Sequence, residues 1–229
     1  MELEGKAVVV TGAFGTLGAA VVRGLGQAGA RVGAIDRAAA PASLAGSAHS
    51  QGGVDLADAT AATAALDAAA AALGGLDALV NIAGAFRWEK IEGGALDTWD
   101  FLYRVNLRTA VAASQAALPH LRRRGSGRIV NIGANAATRA GSGMGAYTAS
   151  KSGVARLTEA LAEELKDAGI TVNAILPSII DTAPNRADMP DADFSRWVTP
   201  GQLTDVIAFL LSDRASAITG ALVPVVGRV

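Results

Sequence analysis

The sequence predicts an α/β architecture: a doubly wound parallel sheet of about seven strands with helices on both faces. Three observations predict it. Short apolar runs alternate with longer helical stretches, the pattern of a parallel sheet covered on both sides. The first run leads directly into a glycine-rich turn, TGAFGTLG. The 229 residues are 51% hydrophobic and include 27 glycines, enough for one large core with closely packed elements.

Residues 7–10 read as a short buried strand. Residues 17–28 read as a helix stopped by Gly29, and 31–35 as the next strand. Residues 37–53 (RAAAPASLAGSAHSQGG) are small and irregular and hide a weak third strand near their end. An alanine-rich helix is expected over 57–73, then a strand at 78–81. A helix over 98–118 should end at Pro119, which has no amide to continue it. Residues 128–132 read as a strand, 146–168 as a long helix stopped by Gly169, and 171–176 as a β-branched strand. A helix over 203–211 and a strand over 221–226 complete the pattern. Pro224 marks that last strand as an edge. No internal repeat or linker divides the chain, so residues 1–229 are expected to form one domain.

Net charge is −1, which gives no reason to expect a nucleic-acid partner. The basic run Arg122-Arg123-Arg124 suits a solvated helix C-terminus. There is no cysteine, hence no disulfide framework and no thiolate chemistry. His49 and His120 lie far apart without ligand-like neighbours, so no metal is expected. No apolar run approaches the roughly 20 residues needed to span a bilayer. The N-terminus lacks a signal pattern. These features predict a soluble, cytoplasmic protein acting on a small molecule.

The turn Gly12-Ala13-Phe14-Gly15-Thr16-Leu17-Gly18 follows a strand and opens a helix. In that context glycines let the backbone approach a pyrophosphate, and the helix aims free N–H groups at it. The second strand ends in Asp36. A carboxylate there accepts hydrogen bonds from an adenosine ribose and repels a 2′-phosphate. That favours NAD. The neighbouring Arg37 could pair with such a phosphate, which leaves NADP open. The plain alternative is an aspartate that merely ends a strand.

Tyr147 and Lys151 stand at i and i+4 on one helix face. A nearby ammonium would stabilise the phenolate and lower the tyrosine pKa, allowing proton relay near neutral pH.

Together these residues resemble the short-chain dehydrogenase/reductase family over essentially the whole chain. The resemblance rests on TGAFGTLG, Asp55 in VDLAD, NIAG (81–84), Asn106 in RVNL and YTASK (147–151). It implies a Rossmann-like NAD(P)-binding oxidoreductase. Asp55 and Leu56 would flank the adenine, and Asn81, Ala83 and Gly84 would line the cofactor. Asn106 would hold a water linking Lys151 to solvent. Tyr147 would give or take the proton, while Lys151 binds the nicotinamide ribose. Ile179 and Thr182 would lie near the carboxamide, with Pro177 also on the cofactor side. The family's oligomers imply a homodimer or homotetramer built on the 98–118 and 146–168 helices.

Two departures stand out. Glycine occurs at Gly15, where the family turn has it one place later, at Thr16. The slot of the catalytic serine holds Ala134. Losing one such donor costs a carbonyl reductase about 3 kcal/mol. One branch of the family, dihydropteridine reductase, is similar in both respects. The similarity continues through Gly143-Met144 and through DTAPNRADMPDADFSRW within residues 177–200. That segment follows a strand C-terminus and is expected to cover substrate. Its alternative is an excursion packed on its own Phe194 and Trp197. Under this resemblance the substrate is a quinonoid dihydropterin or similar imine-like ring. Ala134, Trp88 and Trp197 are then candidate substrate contacts, although either tryptophan could instead anchor its loop. Asp193 and Arg186 read as loop-closing charges, and Asn135 or Ser142 could replace the serine. Two other readings remain. One is an ordinary NAD-dependent alcohol/ketone dehydrogenase, and the other a non-catalytic NAD-binding protein.

Overall fold

A computed structural model describes residues 2–229. The elements run β1 (Ala7–Thr11), α1 (Thr16–Gln27), β2 (Arg31–Ile35), β3 (Ser47–Gln51), α2 (Ala59–Leu73) and β4 (Ala78–Asn81). They continue with α3 (Leu96–Leu102), α4 (Thr109–Arg124), β5 (Gly127–Ile132), α5 (Gly145–Leu165) and β6 (Ile170–Pro177). The chain then forms α6 (Ala183–Asp188), α7 (Pro200–Leu211) and β7 (Leu222–Val225). The seven strands make one parallel sheet in the order β3-β2-β1-β4-β5-β6-β7.

The central strands are buried on both faces because helices cover both. Successive residues of β1 feed opposite cores. Ala7 and Val9 pack beneath α2, α4 and α5, whereas Val8 and Val10 pack beneath α1 and α7. Alanines explain the close helix–sheet fit: Ala62, Ala65 and Ala69 of α2 and Ala113 and Ala117 of α4 are fully buried. The weak third strand is β3, and its side chains are intermediate or exposed throughout. Pro224 lies in β7 at the sheet edge, where its missing donor faces no further strand.

Helix ends follow local chemistry. Asp58 caps α2 by accepting from the Ala61 amide at 2.8 Å, and Gly74 ends it at φ 69°. Thr199 and Gln202 form a reciprocal capping box on α7, with Pro200 at its first position. Arg122, Arg123 and Arg124 form the last turn of α4 before Gly125.

One boundary departs from expectation. Pro119 does not end the helix but sits inside α4, which continues to Arg124. Pro119 and Gln115, whose carbonyl loses its helical donor, are both exposed, so water can take that carbonyl. The stretch before α4 departs too. Residues Tyr103–Arg108 form a π-helix joining α3 to α4, so the expected continuous α-helix contains one widened turn. Among the described residues no helix is long and apolar enough to cross a membrane.

Replacing Asp58 with alanine removes the α2 cap and should lower the unfolding free energy by about 1 kcal/mol, read from urea titration. An unchanged midpoint would show that water caps the helix equally well.

Candidate active site

The strand order reverses between β1 and β4. The chain winds outward through β2 and β3, then returns to place β4 on the other side of β1. A crevice opens at the carboxyl ends of such neighbours. Here it is a cleft of about 610 Å³. Two glycines permit its floor. A Cβ on Gly12, which has φ +64°, would lie 2.6 Å from the Ala83 amide nitrogen. One on Gly18 would lie 2.0 Å from the Gly12 carbonyl. Thr11 joins the two strand ends, its buried hydroxyl accepting from the Ile82 and Ala83 amides at 3.1 and 3.3 Å.

Gly15 precedes α1 and offers no side chain to cap it. The amides of the first turn therefore stay available at the cleft, which Phe14, Thr16 and Leu17 also line. A backbone cradle without side chains, beside an uncapped helix start, fits a pyrophosphate.

At one end of the cleft stand Asp36, Arg37, Asp55, Leu56 and Arg104. The Asp36 carboxylate accepts from the Phe14 amide at 2.9 Å and the Ala38 amide at 3.0 Å. These bonds fix the carboxylate beside the turn and leave each oxygen a further lone pair for a ribose hydroxyl. Asp55 accepts from the Ala57 amide at 3.0 Å and pairs with Arg104 at 2.6 Å. The Arg104 hydrogen bond, followed by that of Ala57, holds the Asp55 carboxyl below its usual range.

Tyr147, Lys151 and Ala134 meet at the other end, with Phe86, Ser178 and Ile180. Tyr147 and Lys151 share the inner face of α5 as their spacing predicts. The phenol is packed edge-on by Phe86, with ring centroids 4.9 Å apart. Lys151 Nζ donates to the Ile132 carbonyl at 2.7 Å. Burial raises Tyr147 to about 12 and lowers Lys151 to about 8. The expected lowering of the phenol by its lysine is therefore not seen, because desolvation dominates both groups and the ammonium is turned to Ile132. A phenol held this way is protonated at neutral pH and suited to donate.

Asn106 lies in the π-helix and is buried. Its Oδ1 accepts from the Ala85 amide at 2.8 Å. Its Nδ2 donates to the Ala85 carbonyl at 3.0 Å and to Ser150 Oγ at 2.9 Å. Ser150 in turn donates to the Tyr147 carbonyl at 2.7 Å. The side chain thus positions Ala85 and α5.

Several sequence candidates stand elsewhere. Asn81 lies behind the cleft wall, donating to Asn131 Oδ1 at 2.9 Å and Ser114 Oγ at 3.2 Å in a buried polar row. Ala83, Gly84 and Pro177 do line the cleft, but Ile179 and Thr182 do not. Thr182 instead caps α6, accepting from the Asn185 amide. Trp197 is buried against Phe194 with centroids 4.8 Å apart, so it anchors its segment and cannot meet substrate. Trp88 packs over Gly143, where a Cβ would fall 2.2 Å from its ring, and lies outside the cleft lining. Only Pro177, Ser178 and Ile180 of residues 177–200 line the cleft. The rest closes on itself: Arg186 pairs with Asp181, and Asp193 accepts from Ser195. Neither Asn135 nor Ser142 is among the residues that line the cleft.

Sequence reading missed Phe86, Arg104 and Ile180. Arg104 lies two positions before Asn106, but its partner Asp55 is far away in the chain. No local pattern announces such a pair.

Lys151 should make stability depend on alkaline pH. Its folded pKa of about 8 lies below the ordinary lysine value of 10.5. Between these values the unfolded chain keeps a proton that the folded protein releases, so stability rises with pH. The cost of the buried ammonium is fully present below about 8. Urea unfolding without added dinucleotide should show wild type gaining on Lys151→Met between pH 8 and 10. A difference independent of pH would mean that the lysine is solvated.

The family model described as short chain dehydrogenase matches residues 6–193. The D-threitol dehydrogenase of Mycolicibacterium smegmatis is 36% identical, covering 96% of this chain and 91% of that protein. The 2-(S)-hydroxypropyl-CoM dehydrogenase 3 of Xanthobacter autotrophicus is 31% identical, covering 99% and 97%. The 3-oxoacyl-(acyl-carrier-protein) reductase of Vibrio harveyi is also 31% identical, covering 99% and 98%. A solved short-chain type dehydrogenase/reductase from Mycobacterium ulcerans superposes with a TM-score of 0.92 at 26% identity, over 100% of this chain and 90% of that one. With the glycine cradle at the switch point and the Tyr147–Lys151 face beside it, these matches show that the chain is an oxidoreductase of the short-chain dehydrogenase/reductase family.

Proposed function

We propose that the enzyme uses NADH to reduce a flat quinonoid or imine-like ring, of which a quinonoid dihydropterin is the type, with Tyr147 as proton donor. Ala134 carries this reading. It is buried at the reacting end of the cleft, and the nearby Ser178 hydroxyl donates to the Val226 carbonyl at 2.8 Å. A ketone substrate would leave its developing oxyanion one donor short. A quinonoid ring is already electron-poor and carries basic nitrogens, so it needs a proton more than a second polariser. Phe86, Ala134 and Ile180 present apolar walls to such a ring.

A nicotinamide dinucleotide bound in the cleft supplies the hydride. Gly12, Gly15 and Gly18 admit its pyrophosphate, and Asp36 accepts from its ribose. Tyr147, protonated at neutral pH, transfers its proton to the ring nitrogen, so that hydride and proton together reduce one carbon–nitrogen unit. Lys151, fixed by Ile132, stands on the same helix face to bind the nicotinamide ribose. Asn106 holds Ala85 and the Tyr147 turn in register. The charge of Asp36 opposes a 2′-phosphate, which supports NAD over NADP despite Arg37.

The names of the relatives favour a second reading, an alcohol/ketone dehydrogenase that works without the serine. Self-association as a homodimer or homotetramer draws support from Trp99 and Tyr103, which remain partly exposed beside a shallow cavity against α5.

NADH oxidation with freshly generated quinonoid dihydropterin tests the first reading. Tyr147→Phe should lower turnover at least about 100-fold. Ala134→Ser should change it less than about threefold, against roughly a hundredfold if a carbonyl polariser were missing. No pterin turnover, with ketone reduction rising in Ala134→Ser, would establish the second reading instead. Asp36→Ala should narrow the ratio of NADPH to NADH dissociation constants by at least about tenfold, since a like charge opposite phosphate costs several kcal/mol. An unmoved ratio would place nucleotide choice elsewhere.

A further inference from the structure

The π-helix reaches across the cleft to its opposite wall. Arg104 pairs with Asp55 at 2.6 Å, and Arg108 Nε donates to the Ala57 carbonyl at 2.8 Å. Both arginines leave one turn of the π-helix, and both end on the loop between β3 and α2. That loop is also held by the Gly53 and Val54 amides, which donate to the Ala38 and Asp36 carbonyls, and by the Asp58 and Ala57 amides, which donate to Asp55. Asp55 and Arg104 both line the cleft, at the end away from Tyr147. Their side chains are about half exposed, 47% and 52%. They are therefore placed to meet a ligand and are not part of the core.

We propose that Arg104 is a positioning residue for the adenosine end of the dinucleotide, acting through Asp55. Its guanidinium fixes the carboxylate and the adenine-side wall that the carboxylate belongs to. Arg108 secures the same loop one turn further on. This rests on the dinucleotide reading of the cleft and adds a residue to it. The widened π turn lets Arg104 and Arg108 point to the adenine wall while Asn106, between them, holds Ala85 near the reacting end. One short segment thereby sets the distance between the two walls.

The test compares NADH with reduced nicotinamide mononucleotide, which lacks adenosine. Dissociation constants come from ligand fluorescence for wild type, Arg104→Ala and Arg104→Lys. Arg104→Ala should weaken NADH about three- to fivefold at low salt, the scale of an exposed ion pair, and the loss should shrink as salt screens the pair. The mononucleotide constant should stay within about 1.5-fold, and Arg104→Lys should recover part of the NADH affinity. Equal weakening of both ligands would assign Arg104 a merely structural role and overturn the proposal. So would an NADH constant that does not move. A wild-type protein that binds no dinucleotide at all would instead overturn the reading of the cleft, and this inference with it.

Discussion

The close approach of two backbone segments at the strand reversal is the constraint on which the rest depends. β1 and β4 run side by side, and their exits meet where Gly12 faces the Ala83 amide. A methyl group at Gly12 would drive these apart, and one at Gly18 would strike the Gly12 carbonyl. Thr11 bonds the same junction from beneath. Because both positions lack a Cβ, α1 can start close to the strand ends and leave its first amides facing the cleft. The phosphate end of the site is thus a consequence of backbone packing.

The reacting end is built differently, from buried polar side chains. Asn106 holds Ala85 and Ser150, and Ser150 returns to the Tyr147 carbonyl. Behind them Asn81, Asn131 and Thr158 form a second row, joining β4 and β5 to α5. Polar groups placed so deeply are held by pairing with one another, although the Asn81 Oδ1 is left without a hydrogen-bond partner. The result is a partly buried tyrosine and a buried lysine on one helix face. Burial raises the phenol and lowers the ammonium.

Ala134 then reads as part of the design of the pocket. It is buried, and it lines the cleft together with Tyr147 and Lys151. Phe86, Ala134 and Ile180 give the pocket apolar walls. The charged side chains Asp36, Arg37, Asp55 and Arg104 gather at the far end, where a dinucleotide would carry its adenosine.

Much of this was legible in the residues alone. Alternating apolar and helical runs marked six of the seven strands, because buried parallel strands must be apolar and their crossovers must be long, whereas β3, with no fully buried side chain, showed only as a weak strand within 37–53. The glycine spacing of TGAFGTLG and the i, i+4 placement of Tyr147 and Lys151 are local geometry, so they survive translation into three dimensions. Pro119 misled because a proline breaks a helix only where the freed carbonyl has no water, and burial is not local information. The sequence left Trp88 and Trp197 open for a similar reason: an aromatic in a loop serves a ligand or the loop itself according to what the fold brings against it. Only tertiary structure could pair Arg104 with Asp55, commit Asn106 to Ala85, and reverse the expected shift of Tyr147. Sequence by itself determined the sheet, the phosphate turn and the catalytic helix face, which depend on near neighbours. The side-chain partnerships and the burial that tunes them depend on residues distant in the chain, and the packed fold alone decides those.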